Sequence, residues 1–152
     1  MAHGPLQRLA AVYIPYRLYR VEWQDGGVRE SRYLALDCVR ASFDLYAFPA
    51  VPPAESLQRL HTRNHPEPAV PEAQTGALIL EHGRRLAYGR GLLRLRDLRL
   101  SAELVIPELH IPYWAGFFGR DGQSPRVRVL DAVRRSLEGA KLCGFVREWL
   151  AG

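Results

Sequence analysis

Two aspartates, Asp37 and Asp131, stand in matching contexts, Leu-Asp-Cys-Val-Arg and Leu-Asp-Ala-Val-Arg. A pair of carboxylates brought together could divide the roles of general acid and base, or hold a divalent cation through hard oxygen ligands. An aspartate at a strand end also has a structural use, because its side chain accepts hydrogen bonds from the nearby backbone and fixes a turn. Repetition preserves structural residues as readily as functional ones. The turn is therefore the expected role, and an enzyme or metal site built on Asp37 and Asp131 is the second alternative.

The other reactive side chains are sparser. His61 and His65 lie four apart and would share a helical face, as paired metal ligands do. No glutamate separates them in the zinc-protease manner, and Pro66 follows at once, so a solvated pair is expected. His82 and His110 stand alone. Cys38 and Cys143 lack a neighbouring histidine and fall on apolar stripes, where a free cysteine packs as a small hydrophobe. Gly89-Arg90-Gly91 lacks the lysine and threonine of a phosphate-binding loop. No catalytic residue, metal ligand set or cofactor fingerprint is assembled, and the expectation is a protein that is not an enzyme.

Binding chemistry is better represented. Residues 84–99 carry six arginines, Arg84, Arg85, Arg90, Arg94, Arg96 and Arg99, against the single acid Asp97, with Tyr88 among them. Such a segment could follow a phosphate backbone or dock on an acidic protein. Tyr, Trp and Arg dominate protein–protein hot spots, which adds Trp114, Phe117 and Phe118 to the candidate contact residues. The expected function is association with a protein partner, as a homo-oligomer or an accessory subunit. Nucleic-acid binding is the alternative, and its signature would be steep weakening by salt.

These residues must be positioned by a chain that repeats itself. Ile14-Pro15-Tyr16 returns as Ile111-Pro112-Tyr113, Asp25-Gly26 as Asp121-Gly122, and Leu36 to Ser42 as Leu130 to Ser136 with five identities in seven. The offsets are 97, 96 and 94 residues, so the second copy is a slightly shortened first. In the first copy, Val12, Ile14, Tyr16 and Leu18 alternate, and the apolar phase then shifts to Tyr19, Val21 and Trp23. That shift predicts a bulge or a change of packing layer. Gln24 to Gly27 supplies a hairpin turn, Arg32 to Val39 returns, and Ser42 to Phe48 reads as a third strand. In the second copy Leu109, Ile111, Tyr113, Ala115 and Phe117 alternate, Gly119 to Gly122 turns, and Arg126 to Leu130 returns. Pro15 and Pro112 cannot donate to a ladder, so each strand should be an edge or bulged there.

Between and after the copies the pattern turns helical. Ser56 to Arg63 suggests a short helix. Proline followed by glutamate at Pro71-Glu72 is a strong helix start, and the helix should run to about Tyr88 despite Gly83. Leu92 to Ala102 fits neither period. Ser136 to Leu150 reads as an amphipathic helix, with Ser136 as N-cap and Leu142, Val146, Trp149 and Leu150 on its stripe. The predicted architecture is one α+β domain over residues 1–152. Internally duplicated antiparallel hairpins, 11–48 and 104–136, form a sheet. A proline-rich and arginine-rich segment, 49–103, joins them, and helices cover the sheet. Pairing of the copies about a pseudo-twofold axis would bury Tyr16 and Trp114 together.

The run Ile111-Pro112-Tyr113-Trp114, a glycine turn and Leu130-Asp131-Ala132-Val133 together resemble a strand–turn–strand module of uncharacterised bacterial and archaeal proteins. In that module the second strand ends in Asp-Ala-Val-Thr-Gly. Here Arg134 and Arg135 follow Val133, and the glycine is absent. The resemblance implies the duplicated hairpin fold and adds nothing on function.

Composition fits this picture. A chain of 152 residues with 47% hydrophobic and 24% charged content can bury a core without staples. The formal charge is +5, and every basic residue except Lys141 is arginine. That bias has a bland source in a GC-rich coding sequence as well as a functional one in anionic partners. No run reaches the ~18 apolar residues of a membrane helix. The first residues lack the basic and apolar regions of an export signal, so a reducing cytoplasmic setting with two thiols is expected.

Overall fold

A computed structural model of the chain describes residues 4–40, 45–89 and 98–152. It is an α+β fold in which six antiparallel strands hydrogen-bond in the order β3-β2-β1-β4-β5-β6 and two helices pack on the sheet. The strands are β1 (Leu6–Asp25), β2 (Val28–Asp37), β3 (Tyr46–Phe48), β4 (Arg99–Phe118), β5 (Arg126–Asp131) and β6 (Ser136–Leu137). The helices are α1 (Glu72–Gly89) and α2 (Ala140–Ala151). Neither is long and apolar enough to cross a membrane.

The chain divides into two compact units. An inner unit comprises Pro15–His61 and Glu67–Leu109, and a terminal unit comprises Met1–Ile14, Thr62–Pro66 and His110–Gly152. Each holds one copy of the repeated hairpin. In the inner unit β1 pairs with β2 from Tyr16↔Asp37 to Asp25↔Val28, leaving Gly26-Gly27 as a two-residue turn. Gly26 has φ +56°, the left-handed geometry that such turns demand. In the terminal unit β4 pairs with β5 from Tyr113↔Asp131 to Phe118↔Arg126. Its loop turns at Gly122 (φ +83°), where the Gln123 amide donates to the Arg120 carbonyl.

The equivalent ends of the two ladders explain the prolines. β1 and β4 are interior strands of the sheet, not edges. Pro15 and Pro112 each fall one residue beyond the last pair of their hairpin. Their carbonyls still accept bonds, from the Cys38 amide at 2.9 Å and the Ala132 amide at 3.1 Å. On that side of each strand the missing proline N–H is not needed. Beyond Pro15, within the terminal unit, the Tyr13 amide donates to the carbonyl of Asn64. The helix expected at 56–63 does not form. Only Ala54–Ser56 makes one 3₁₀ turn, and it ends at Leu57, whose backbone is extended.

The phase shift at Tyr19 is not a bulge, because the ladder is unbroken from Tyr16 to Asp25. Leu18 and Tyr19 are both buried, so the strand is covered on both faces where its apolar phase changes. Helix α1 covers the side of Tyr19, Val21, Trp23, Leu34 and Leu36, and buries Thr75, Ile79, His82, Gly83 and Ala87. Trp23 Nε1 donates to the Gly83 carbonyl at 2.9 Å, and the Tyr19 hydroxyl shares a 2.8 Å bond with Thr75 Oγ1. A Cβ on Gly83 would stand 3.3 Å from Val21 Cγ1, so the glycine lets the helix sit close to the strand.

Other boundaries move. The third strand is only Tyr46–Phe48, with 41–44 outside the described residues. Part of the ambiguous segment, from Arg99, begins β4. Ser136 does not cap a helix. It pairs with Asp131 in β6, and the Glu138 amide donates to the Val129 carbonyl. Only after Gly139, the actual N-cap, can α2 begin.

Arg135 is the one described non-glycine residue with positive φ, +58°. It occupies the place of the glycine in Asp-Ala-Val-Thr-Gly. A left-handed non-glycine residue costs about 1–2 kcal/mol. Arg135→Gly is therefore expected to raise the unfolding free energy by about 1 kcal/mol, measured by urea denaturation.

His82 supplies a pH dependence. Burial pushes its imidazole below the ordinary value, with Arg85 acting in the same direction and Glu81 opposing. A lowered histidine leaves stability intact above the unfolded value, about 6.5, and stability is lost as pH falls below it, because the unfolded chain takes up the proton more readily. His82→Gln should flatten the fall in denaturation midpoint between pH 7 and pH 5. An unchanged slope would assign the dependence to other groups.

Candidate functional site

Each hairpin ends in the same device. Asp37 and Asp131 are fully buried. Asp37 Oδ1 accepts the amides of Val39 and Arg40 at 2.8 and 3.1 Å, and its Oδ2 accepts Arg40 Nε at 2.8 Å. Asp131 Oδ1 accepts the amides of Val133 and Arg134, both at 2.8 Å. Both carboxylates therefore hold the stretch of backbone just beyond them. This is the turn chemistry of an aspartate at a strand end.

The remaining reactive groups do not converge. Cys38 is buried, its thiol pushed up to about 11 by desolvation, and Sγ lies 3.5 Å from the Leu36 carbonyl. A thiol so raised is a poor nucleophile near neutrality. Cys143 is half-buried. His61 is exposed and lies in no helix, so it shares no helical face with His65. His65 instead meets His110 edge-on at 5.8 Å within the terminal unit. Among the described residues no three His, Cys, Asp or Glu side chains are grouped to hold a metal ion. An open cleft of about 510 Å³ in the terminal unit is lined by Gln7, Arg8, Phe117, Ser124 and Arg147, among others. It holds no acid–base pair.

A different asymmetry emerges when the two hairpins are compared pair by pair. Matching registers equate Arg17↔Leu36 with Trp114↔Leu130, and Leu18↔Ala35 with Ala115↔Val129. One face of the terminal hairpin, with Tyr113, Ala115, Phe117 and Val129, is buried, and Leu142 and Val146 of α2 are buried with it. The other face is open around Trp114, while Gly116 on the same face is buried beneath Phe118 and Leu6. Trp114 is 44% exposed there, Leu130 is half-buried, and Leu137, paired with Leu130, is 63% exposed. In the inner hairpin the corresponding Leu36 is fully buried in the cluster formed with α1. Trp114, Leu130 and Leu137 thus make an apolar row across three strands.

The candidate contact residues separate accordingly. Trp114 is on the open face, contrary to the expected burial beside Tyr16, which is itself buried. The reason is strand parity, since Trp114 is one residue out of phase with buried Tyr113 and Ala115. Phe117 is buried on the helix side, so its place in the core replaces the expected contact role. Phe118 is half-buried and lies over Gly116. Arg84, Arg85, Tyr88 and Arg99 are exposed in the inner unit, where Arg85 pairs with Glu81. Arg90, Arg94 and Arg96 lie outside the described residues. Leu130 and Leu137 were not anticipated. Leu130 could have been found from its alternation with Val129, whereas Leu137 has the composition of a helical residue.

No family matches. A comparison with protein-family models, curated proteins and solved structures finds no significant similarity to this chain.

The aspartate turns predict a graded response. Asp131→Ala removes an acceptor from two backbone amides and should destabilise the chain by about 2–4 kcal/mol, whereas Asp131→Asn keeps that acceptor and should cost about 1 kcal/mol. Thermal denaturation of both variants tests the order, and equal losses would contradict it.

Proposed function

We propose that this chain works by association, as a non-enzymatic binding or accessory subunit, and that its contact surface is the open face of the second hairpin. The observation that carries the reading is the unequal covering of two copies of one hairpin. The first copy's face is covered by the chain's own α1, while the second presents Trp114, Leu130 and Leu137 to solvent. Exposed apolar rows of this kind mark interaction sites, and tryptophan is among the residues most enriched in hot spots. The two aspartates support the non-enzymatic reading because the buried Oδ1 of each serves its turn. Two free thiols fit a reducing, cytoplasmic setting.

The test is recovery of the chain from its native host, as wild type and as Trp114→Ala. A hot-spot tryptophan is worth about 2 kcal/mol or more, so the variant should hold its partner about 30-fold more weakly. Its circular dichroism should be unchanged, because the side chain is exposed. Full retention by the variant, or recovery of the wild type alone and monomeric at micromolar concentration, would overturn the proposal. Salt-sensitive nucleic-acid binding that is indifferent to Trp114→Ala would replace it with the alternative.

A further inference from the structure

The open face has a template within the same chain. In the inner hairpin the equivalent side is covered by a helix, α1, which presents Thr75, Ile79, His82, Gly83 and Ala87 along one stripe. The interval between buried positions is four, three, one and four residues, the spacing of one helical face. A helix laid on the second hairpin would meet the row Trp114, Leu130 and Leu137, which runs across the strands. Strand addition is the weaker mode here. The outermost strand, β6, is only two residues long and offers few backbone groups for pairing.

Charge then selects the helix. The register places Arg128 opposite Gly116 and Arg126 opposite Phe118, on the same side of the sheet as Trp114. Both arginines are exposed. The chain as a whole carries +5. A second copy docked through this face would bring two arginine-bearing surfaces together, which like-charge repulsion opposes. An acidic occupant is complementary in charge and in apolar pattern.

We infer that the open face of the second hairpin receives an acidic amphipathic helix from another protein, with its apolar stripe on Trp114, Leu130 and Leu137 and its acids on Arg126 and Arg128. The inference rests on the reading of that face as the contact surface. The arginines would steer the encounter and set the choice of partner, while the apolar row holds it. The helix would occupy the place that α1 takes in the first copy.

Three fluorescent 18-residue peptides, the length of α1, test this against the intact chain. The first has leucine at the five positions α1 buries and glutamate or alanine elsewhere. The second replaces each glutamate with lysine, and the third keeps the acidic composition but scatters the leucines. Anisotropy at physiological ionic strength should show the first binding at least roughly ten-fold more tightly than either control. Trp114→Ala should weaken it, and the pair Arg126→Glu and Arg128→Glu should reverse the preference towards the lysine peptide. Equal binding of the acidic and basic peptides, no binding of the first, or a preference that survives charge reversal would overturn the inference. So would a dimer in sedimentation that Trp114→Ala dissolves, because a second copy would then hold the face. That last result leaves the association reading standing, whereas indifference of partner recovery to Trp114→Ala removes it.

Discussion

A buried carboxylate that must be satisfied by the backbone closes each hairpin, and the rest of each unit is built outward from that point. Asp37 and Asp131 sit opposite Tyr16 and Tyr113 at the end of their ladders. A buried carboxyl oxygen out of contact with water needs donors, and two backbone amides two and three residues ahead supply them. The chain must therefore curl immediately after the aspartate. That curl brings the next amide to a proline carbonyl, Cys38 to Pro15 and Ala132 to Pro112, and ends the pairing there. Proline, tyrosine and aspartate recur together because they are parts of one closure.

Identical closures leave different surroundings, because the two copies continue into different segments. After the first aspartate the chain comes back along the sheet, and the Cys38 carbonyl takes up the amides of Ala69 and Val70 just before α1 starts. After the second it turns through Arg135 into a two-residue strand and then α2. Helix α1 lies on the face carrying Tyr19 and Leu34, while α2 packs against β5 beside Val129 and leaves the Trp114 side open. One duplicated hairpin is thus helix-covered on the side where its sibling is bare. The fold uses the first copy to complete a core and leaves the second with a surface.

Much of this was legible in the residues. The repeated Leu-Asp-x-Val-Arg announced equal turns, and Pro71-Glu72 announced α1, because both are local signals backed by hydrogen bonds within a few residues. What was hidden depends on distant partners. Residues 57–63 have helical composition but form no helix, and in the terminal unit the carbonyl of Asn64 serves the amide of Tyr13. Ser136 looks like a cap until the pairing with Asp131 claims it. The aromatic strands were the hardest to read. Tyr113, Trp114 and Phe117 are all compatible with core or interface, and only the tertiary packing puts Tyr113 and Phe117 inside while Trp114 is exposed. Alternation gives the parity of a strand but not which side a helix will cover.

An apolar row, open to solvent and electropositive at its edge, carries the association reading. Collisional quenching of tryptophan fluorescence reads both properties at once, since Trp23 is buried, Trp149 is half-buried and Trp114 is exposed. Comparing the wild type with Trp114→Phe isolates the Trp114 signal. Iodide should quench that signal readily and caesium much less, because the neighbouring arginines attract the anion and repel the cation. A Trp114 signal as protected as that of Trp23, or quenched equally by both ions, would contradict an open, electropositive face.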